Sequence, residues 1–309
     1  MFSAAFAMAL SLTVQDPPVA QQTPSPADPG EVAIEGIVVD GRPLAEAVRD
    51  YVGAVAGPAR GRGLAQWRSE LCLGVANLPA QYAQALIDRV SDIATELDVP
   101  IGEPGCEANA LVIFTEDGAG MARALIEEDR RTFRVGASGL DLGSSALERF
   151  RDSTAPVRWW QISVPVDSET GQVAVRLPGQ TDPSTGEPSA PAINVFAASR
   201  LTSQIRDDLN RTIVIVDVDD ITGVSFEQLS DYVAMVTLAQ VNPQGSTTGL
   251  TSILGVFDDP TVTASLSDWD WAYLRALYSS RSQRRNPAGM TGDVAGFMTR
   301  DRRAAQEPN

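Results

Sequence analysis

The sequence contains no histidine, and all 24 of its basic residues are arginine, so lysine is missing as well. Without an imidazole there is no Ser-His-Asp or Cys-His nucleophile pair and no histidine general base. Without lysine there is no Schiff base, no Ser-Lys dyad and no P-loop lysine. Neither a G-x-S-x-G elbow nor a G-x-G-x-x-G fingerprint occurs. Positive charge is scarce too: the formal net charge is −16, and an acidic surface argues against nucleic acid as the main partner, because a phosphate backbone is held mainly by cationic side chains. Carboxylate chemistry remains open. A pair of Asp or Glu residues can do acid/base work, as in glycoside hydrolysis, but no pair stands out among 40 acidic residues.

What is present reads as a folded protein. Hydrophobic residues make up 43% and charged residues 21% of 309, close to the averages of globular chains. Residues 2–14 (FSAAFAMALSLTV) form an apolar run of signal-peptide length, too short to span a bilayer at about 20 residues. The first basic residue is Arg42, so a signal with the usual basic start would begin upstream of Met1. A buried or frayed terminal segment is the other reading. The Pro/Gln/Ser-rich stretch 15–30 then reads as a linker. Export to the periplasm or beyond is therefore expected, with no integral membrane segment in the mature chain. The two cysteines, Cys72 and Cys106, fit an oxidising compartment as one disulfide. Two buried free thiols are the alternative.

The patterning predicts an α+β fold, a mixed sheet with packed helices, in one domain over 31–280 followed by an arginine-rich arm over 281–309. Strands are expected at 34–39, 67–75, 110–114, 157–166, 172–177 and 212–218, the last (TIVIVDV) being the strongest. Helices are expected at 43–56, after Pro79, at 121–131, at 147–151 and after Ser225. In the Pro79 helix, Tyr82, Leu86, Val90, Ile93 and Leu97 recur at core-facing steps. Ser225 and Gln228 have capping-box spacing, with Phe226, Leu229, Val233, Val236 and Ala239 directed at the core. Residues 178–191 read as a surface loop. Asp217, Asp219, Asp220 and Gly223 read as a solvated acidic turn, since the later bidentate Glu of a calcium loop is missing. In the arm, six arginines (Arg281, Arg284, Arg285, Arg300, Arg302, Arg303) face Asp293, Asp301 and Glu307, about +3 net. The arm is expected to be mobile or at most a loosely docked helix, with Val294, Phe297 and Met298 as a small apolar stripe in its second half.

Residues 266–278 read L-S-D-W-D-W-A-Y-L-R-A-L-Y. This resembles the helix that closes the catalytic domain of matrix-metalloproteinase-like metzincins, L-S-x-D-D-I-x-x-I-x-x-L-Y, with Leu266, Ser267, Asp270, Leu277 and Tyr278 in register. In that family the helix follows a zinc-binding helix, a loop and a Met-turn, and the order of elements here is similar. The resemblance aligns Asp231, Tyr232 and Met235 with the first His, the Glu and the second His of H-E-x-x-H. One aspartate cannot replace three imidazoles and a carboxylate base. The resemblance thus implies a zincin-like fold without metal, cofactor or peptidase activity. As a whole the chain also resembles exported proteins of Gram-negative bacteria, which implies no activity. The expectation is a noncatalytic periplasmic or secreted protein for binding or envelope maintenance, holding a peptide or protein ligand along an edge strand. A carboxylate-dependent hydrolase is the alternative: a deep cleft with two inward-facing carboxylates would mark it, a groove with an open strand the binder.

Overall fold

The computed structural model describes residues 33–34, 37–38, 43–59, 62–133, 142–174, 205–279 and 287–306. The chain divides into two units, Met1–Arg42 and Pro43–Asn309. In the first, β1 (Ala33–Ile34) and β2 (Ile37–Val38) pair antiparallel. The remaining elements belong to the second. The signal-like run 2–14, the linker 15–30 and the loop 178–191 lie outside the described residues.

Two helices begin just after proline, whose fixed φ suits a first turn: α1 (Leu44–Val55) after Pro43 and α2 (Ala80–Glu96) after Pro79. Between them runs β3 (Leu73–Ala76). The strand expected at 67–75 is mostly irregular, because tertiary contacts take its backbone and side chains. Gln66 and Leu71 form only isolated bridges, to Asp208 and Ile101, and the Trp67 indole N–H donates to Thr237 O at 2.8 Å. On α2, Leu86, Val90 and Ile93 are buried, but Tyr82 is 47% exposed. It lies one turn too early for the core and packs on the Phe226 ring, centroids 5.6 Å apart.

Next come β4 (Ala110–Thr115), α3 (Gly118–Glu128), α4 (Arg130–Phe133), α5 (Ser144–Asp152), β5 (Val157–Asp167) and β6 (Ile205–Asp217). Of the strand expected at 172–177, Val173 alone bridges, to Val166, and 175–177 lie outside the described residues. The four-stranded sheet has order β3-β4-β6-β5. β3, β4 and β6 run parallel, and β5 joins antiparallel at the edge. The protein is α+β, with helices on both faces of a mixed sheet.

The pleat sorts the apolar residues of β6 between the faces. Val214 and Val216 enter the larger core, with α1, α2 and α6 (Phe226–Leu238). Ile213 and Ile215 enter a smaller one with Phe133, Leu147 and Phe150. Burial on both faces explains why residues 213–216 read as an unbroken apolar run, while the strand begins earlier than expected, at Ile205, in a polar stretch. α6 is itself buried from Gln228 to Leu238, and its capping box is formed: Gln228 N donates to Ser225 Oγ and Ser225 N to Gln228 Oε1. Leu229, Val233, Val236 and Ala239 are buried as expected, while Phe226 is only partly so.

A loop then leads to α7 (Asp268–Tyr278), whose own box joins Ser267 and Asp270. Finally α8 (Pro287–Gln306) packs on α1 and α7. Over this span the expected arm is a helix with Met290, Val294 and Met298 buried in the larger core. Cys72 and Cys106 are joined, with Cα atoms 6.0 Å apart, tying the start of β3 to the loop before β4. Among the described residues no helix is long and apolar enough to cross a membrane.

Candidate functional site: a groove along the open edge of β5

Among the described residues β5 pairs with β6 alone, so its other edge bears on what the sheet can do. Asp217 N donates to Pro156 O at 2.8 Å, which marks that opposed pair as hydrogen-bonded. In an antiparallel ladder the bonded pairs alternate. Arg158 and Trp160 therefore bond to β6, while Val157, Trp159 and Gln161 turn their N–H and C=O groups outward. Among the described residues no backbone group pairs with these three.

The edge lies at the floor of a cavity of about 970 Å³, lined by residues 157–160 of β5. Of the β5 residues lining it, Trp159 is 8% and Val157 and Trp160 each 1% exposed, so the strand lies deep between two walls. Successive β5 side chains fall on opposite faces. Trp159 turns to the α6 side, where its ring meets Tyr232 edge-on at 6.1 Å and its indole N–H donates to Val241 O. Ala56, Gly57, Pro58 and Pro243 extend that wall, and Asn242 and Gln244 supply its amides. Trp160 turns to the α5 side against Phe150, centroids 5.9 Å apart. There the wall is α5 itself, with Ser145, Ala146, Glu148, Arg149 and Asp152. Beyond Trp160 the groove closes. Arg62 Nη1 donates to Ser163 O and Gln240 Nε2 to Ser163 Oγ, and residues 172–174 fold back on the end of the strand.

The titratable groups do little chemistry. The Asp152 carboxyl is held below its ordinary value by the hydrogen bond from Arg151, the wrong direction for a proton donor. Glu148 is exposed on the same helix. Burial lowers the Arg158 guanidinium from its usual value and raises the Tyr232 hydroxyl. Among the described residues no three Cys, Asp or Glu side chains stand together as a metal site.

Asp231, Tyr232 and Met235 do not converge. Asp231 is fully buried and turned to α2, where Arg89 donates to both of its oxygens, at 2.6 and 2.9 Å. Leu266 N adds a third bond at 2.7 Å. Met235 is a core side chain with no exposure. Tyr232 alone reaches the groove. Sequence reading placed Trp159 and Trp160 on one strand but missed the groove, whose α5 wall and 56–58 loop come from distant parts of the chain. The acidic turn is partly structural: Gly118 N donates to Asp217 Oδ2 at 2.8 Å, fixing the start of α3.

No family model, curated protein or solved structure matches the chain.

Proposed function

We propose that the protein is a noncatalytic binding module, periplasmic or secreted and serving envelope maintenance, that holds an extended peptide or protein segment against β5. One observation carries this reading: the outward N–H and C=O groups of Val157 and Trp159, which no described backbone group pairs, belong to residues that line a groove. Adding a strand to such an edge provides affinity through main-chain bonds and needs no catalytic residue. The recess selects a single extended segment, because a folded partner's sheet edge would strike the walls first.

Two further features support the reading. The order α6, loop and α7 is that implied by the metzincin resemblance, although residues 239–267 hold no methionine for a Met-turn, and the positions aligned with H-E-x-x-H hold a structural aspartate, a wall tyrosine and a core methionine. The Cys72–Cys106 bridge suits an oxidising compartment.

Selection from a library of random short peptides, followed by amide hydrogen exchange on the best complexes, tests the proposal. Bound peptide is expected to slow exchange at Val157 and Trp159. Binders that protect a different surface, or no binders at all, would overturn it.

A further inference from the structure

Resting on that reading, we infer that the segment held in the groove is an amphipathic strand, with apolar side chains turned to Trp159 and Tyr232 and polar ones to α5. A strand added to β5 shares its pleat, so its side chains alternate between the same two faces. Those faces differ in charge. Among the described residues lining the groove, Glu148, Arg149, Asp152 and Arg158 carry all the charge, and all four lie on the α5 side. The opposite wall is aromatic and neutral: Trp159, Tyr232, Ala56, Pro58 and Pro243, with the amides of Asn242 and Gln244. A charged side chain turned to that wall loses water and gains no counterion. A polar one turned to α5 meets both signs and stays wet, since Glu148, Arg149 and Asp152 are all exposed.

The experiment compares three capped hexapeptides: acetyl-Leu-Gln-Leu-Gln-Leu-Gln-amide, its block isomer acetyl-Leu-Leu-Leu-Gln-Gln-Gln-amide, and the alternating peptide with its leucine nitrogens methylated. The first two have the same composition, so unspecific hydrophobic adhesion treats them alike. The alternating peptide is expected to bind about tenfold tighter than the block isomer, and methylation to abolish binding. Gln244→Glu, on an exposed loop of the neutral wall, is expected to weaken the alternating peptide severalfold and leave the fold intact. Equal affinities for the two isomers, with methylation still destructive, would overturn the amphipathic inference and leave main-chain pairing standing. Methylation without effect, or no binding by either isomer, removes main-chain pairing and the inference with it.

Discussion

Arg89 and Asp231 form a two-point ion pair between α2 and α6, Nε to Oδ1 at 2.6 Å and Nη2 to Oδ2 at 2.9 Å. The arginine side chain is 37% exposed and the aspartate fully buried, so the partners are unequal. The hydrogen bonds it donates to Asp231 raise the guanidinium above its usual value.

Removing the two partners should therefore have different consequences. Arg89→Ala leaves a buried carboxylate with the Leu266 N–H and is expected to cost about 2–4 kcal/mol, below the upper end for breaking a buried pair because the arginine is partly in water. Arg89→Ala combined with Asp231→Asn should recover part of that loss. Urea melts of the three proteins check it; a double variant no more stable than Arg89→Ala would show that the ion pair is not the source of the cost.

A second carboxylate sets a sterner test. Asp270, fully buried at the start of α7, accepts from Tyr51 Oη and Ser252 Oγ, both at 2.6 Å, from Ile253 N at 2.9 Å and from Ser267 N and Oγ. It joins α1, the loop and α7 at one point. Asp270→Ala strands several buried donors at once and is expected to abolish stable folding. Tyr51→Phe removes one charge-assisted bond, for about 1.5–3 kcal/mol. Chemical denaturation of Tyr51→Phe and soluble yield of Asp270→Ala give the two readings.

The Ser225–Gln228 capping box was legible in the sequence because a box is a local rule that needs only a spacing of three; the Ser267–Asp270 box has the same spacing but was read only as part of the metzincin resemblance. The second half of β6, from Thr212, was legible because burial on both faces leaves it a run of apolar residues, whereas the polar first half, residues 205–211, gave no such signal. The errors are non-local. A strand was expected over 67–75, yet only its end lies in β3, and Trp67 is held by Thr237 O, 170 residues away in sequence. Tyr82 has the helical spacing of a core residue but sits beyond the core's end. The groove was illegible for the same reason: which strand lies at an edge depends on sheet order, and its α5 wall is brought to β5 only by the fold.

Reduction offers a third test. Cys72 and Cys106 are separated by 34 positions, and opening a loop of that size gives back about 3–4 kcal/mol of chain entropy to the unfolded state. The reduced protein is expected to stay folded with a melting temperature lower by several degrees. Calorimetry with and without a reductant measures it. An unchanged midpoint after confirmed reduction would show that the bridge does not constrain the unfolded chain.

A fourth concerns acid. Asp167 accepts from Glu169 N at 2.9 Å and Thr170 N at 2.7 Å, and chiefly the Thr170 backbone bond lowers its carboxyl from the ordinary value of 3.8. A carboxylate whose folded value lies below its unfolded one adds stability above the unfolded value and loses it as pH falls through the folded one. The turn joining β5 to residue 172 should thus loosen below about pH 4. The carboxyl resonance of Asp167 is expected to titrate below that of a solvated aspartate. In Asp167→Ala the Glu169 and Thr170 amides should exchange quickly already at neutral pH.

The C-terminal helix yields the sharpest disagreement with a reading by composition. Six arginines after residue 280 suggest a dispensable arm, yet Met290 is 6% exposed and Val294 and Met298 are fully buried in the larger core. Arg302 also lies over the Trp269 ring, its guanidinium carbon 5.0 Å from the centroid, and pairs with Asp268 at 3.2 Å. Burial of three such side chains contributes about 1.5–3 kcal/mol each, offset by the entropy of ordering the helix. Ending the chain after residue 286 should lower the melting temperature by more than a few degrees and expose apolar surface on α1 and α7 that binds a hydrophobic dye. A milder variant separates packing from charge. Val294→Asp keeps the helix length but puts an unpaired charge into the core, and is expected to destabilise nearly as much as the truncation. Arg302→Gln, which breaks the pair with the 86%-exposed Asp268 side chain and the ring contact, should cost no more than about 1–2 kcal/mol. If the truncated chain melted like the full one, α8 would be a passenger on the core and its apolar stripe would have to be explained by a partner.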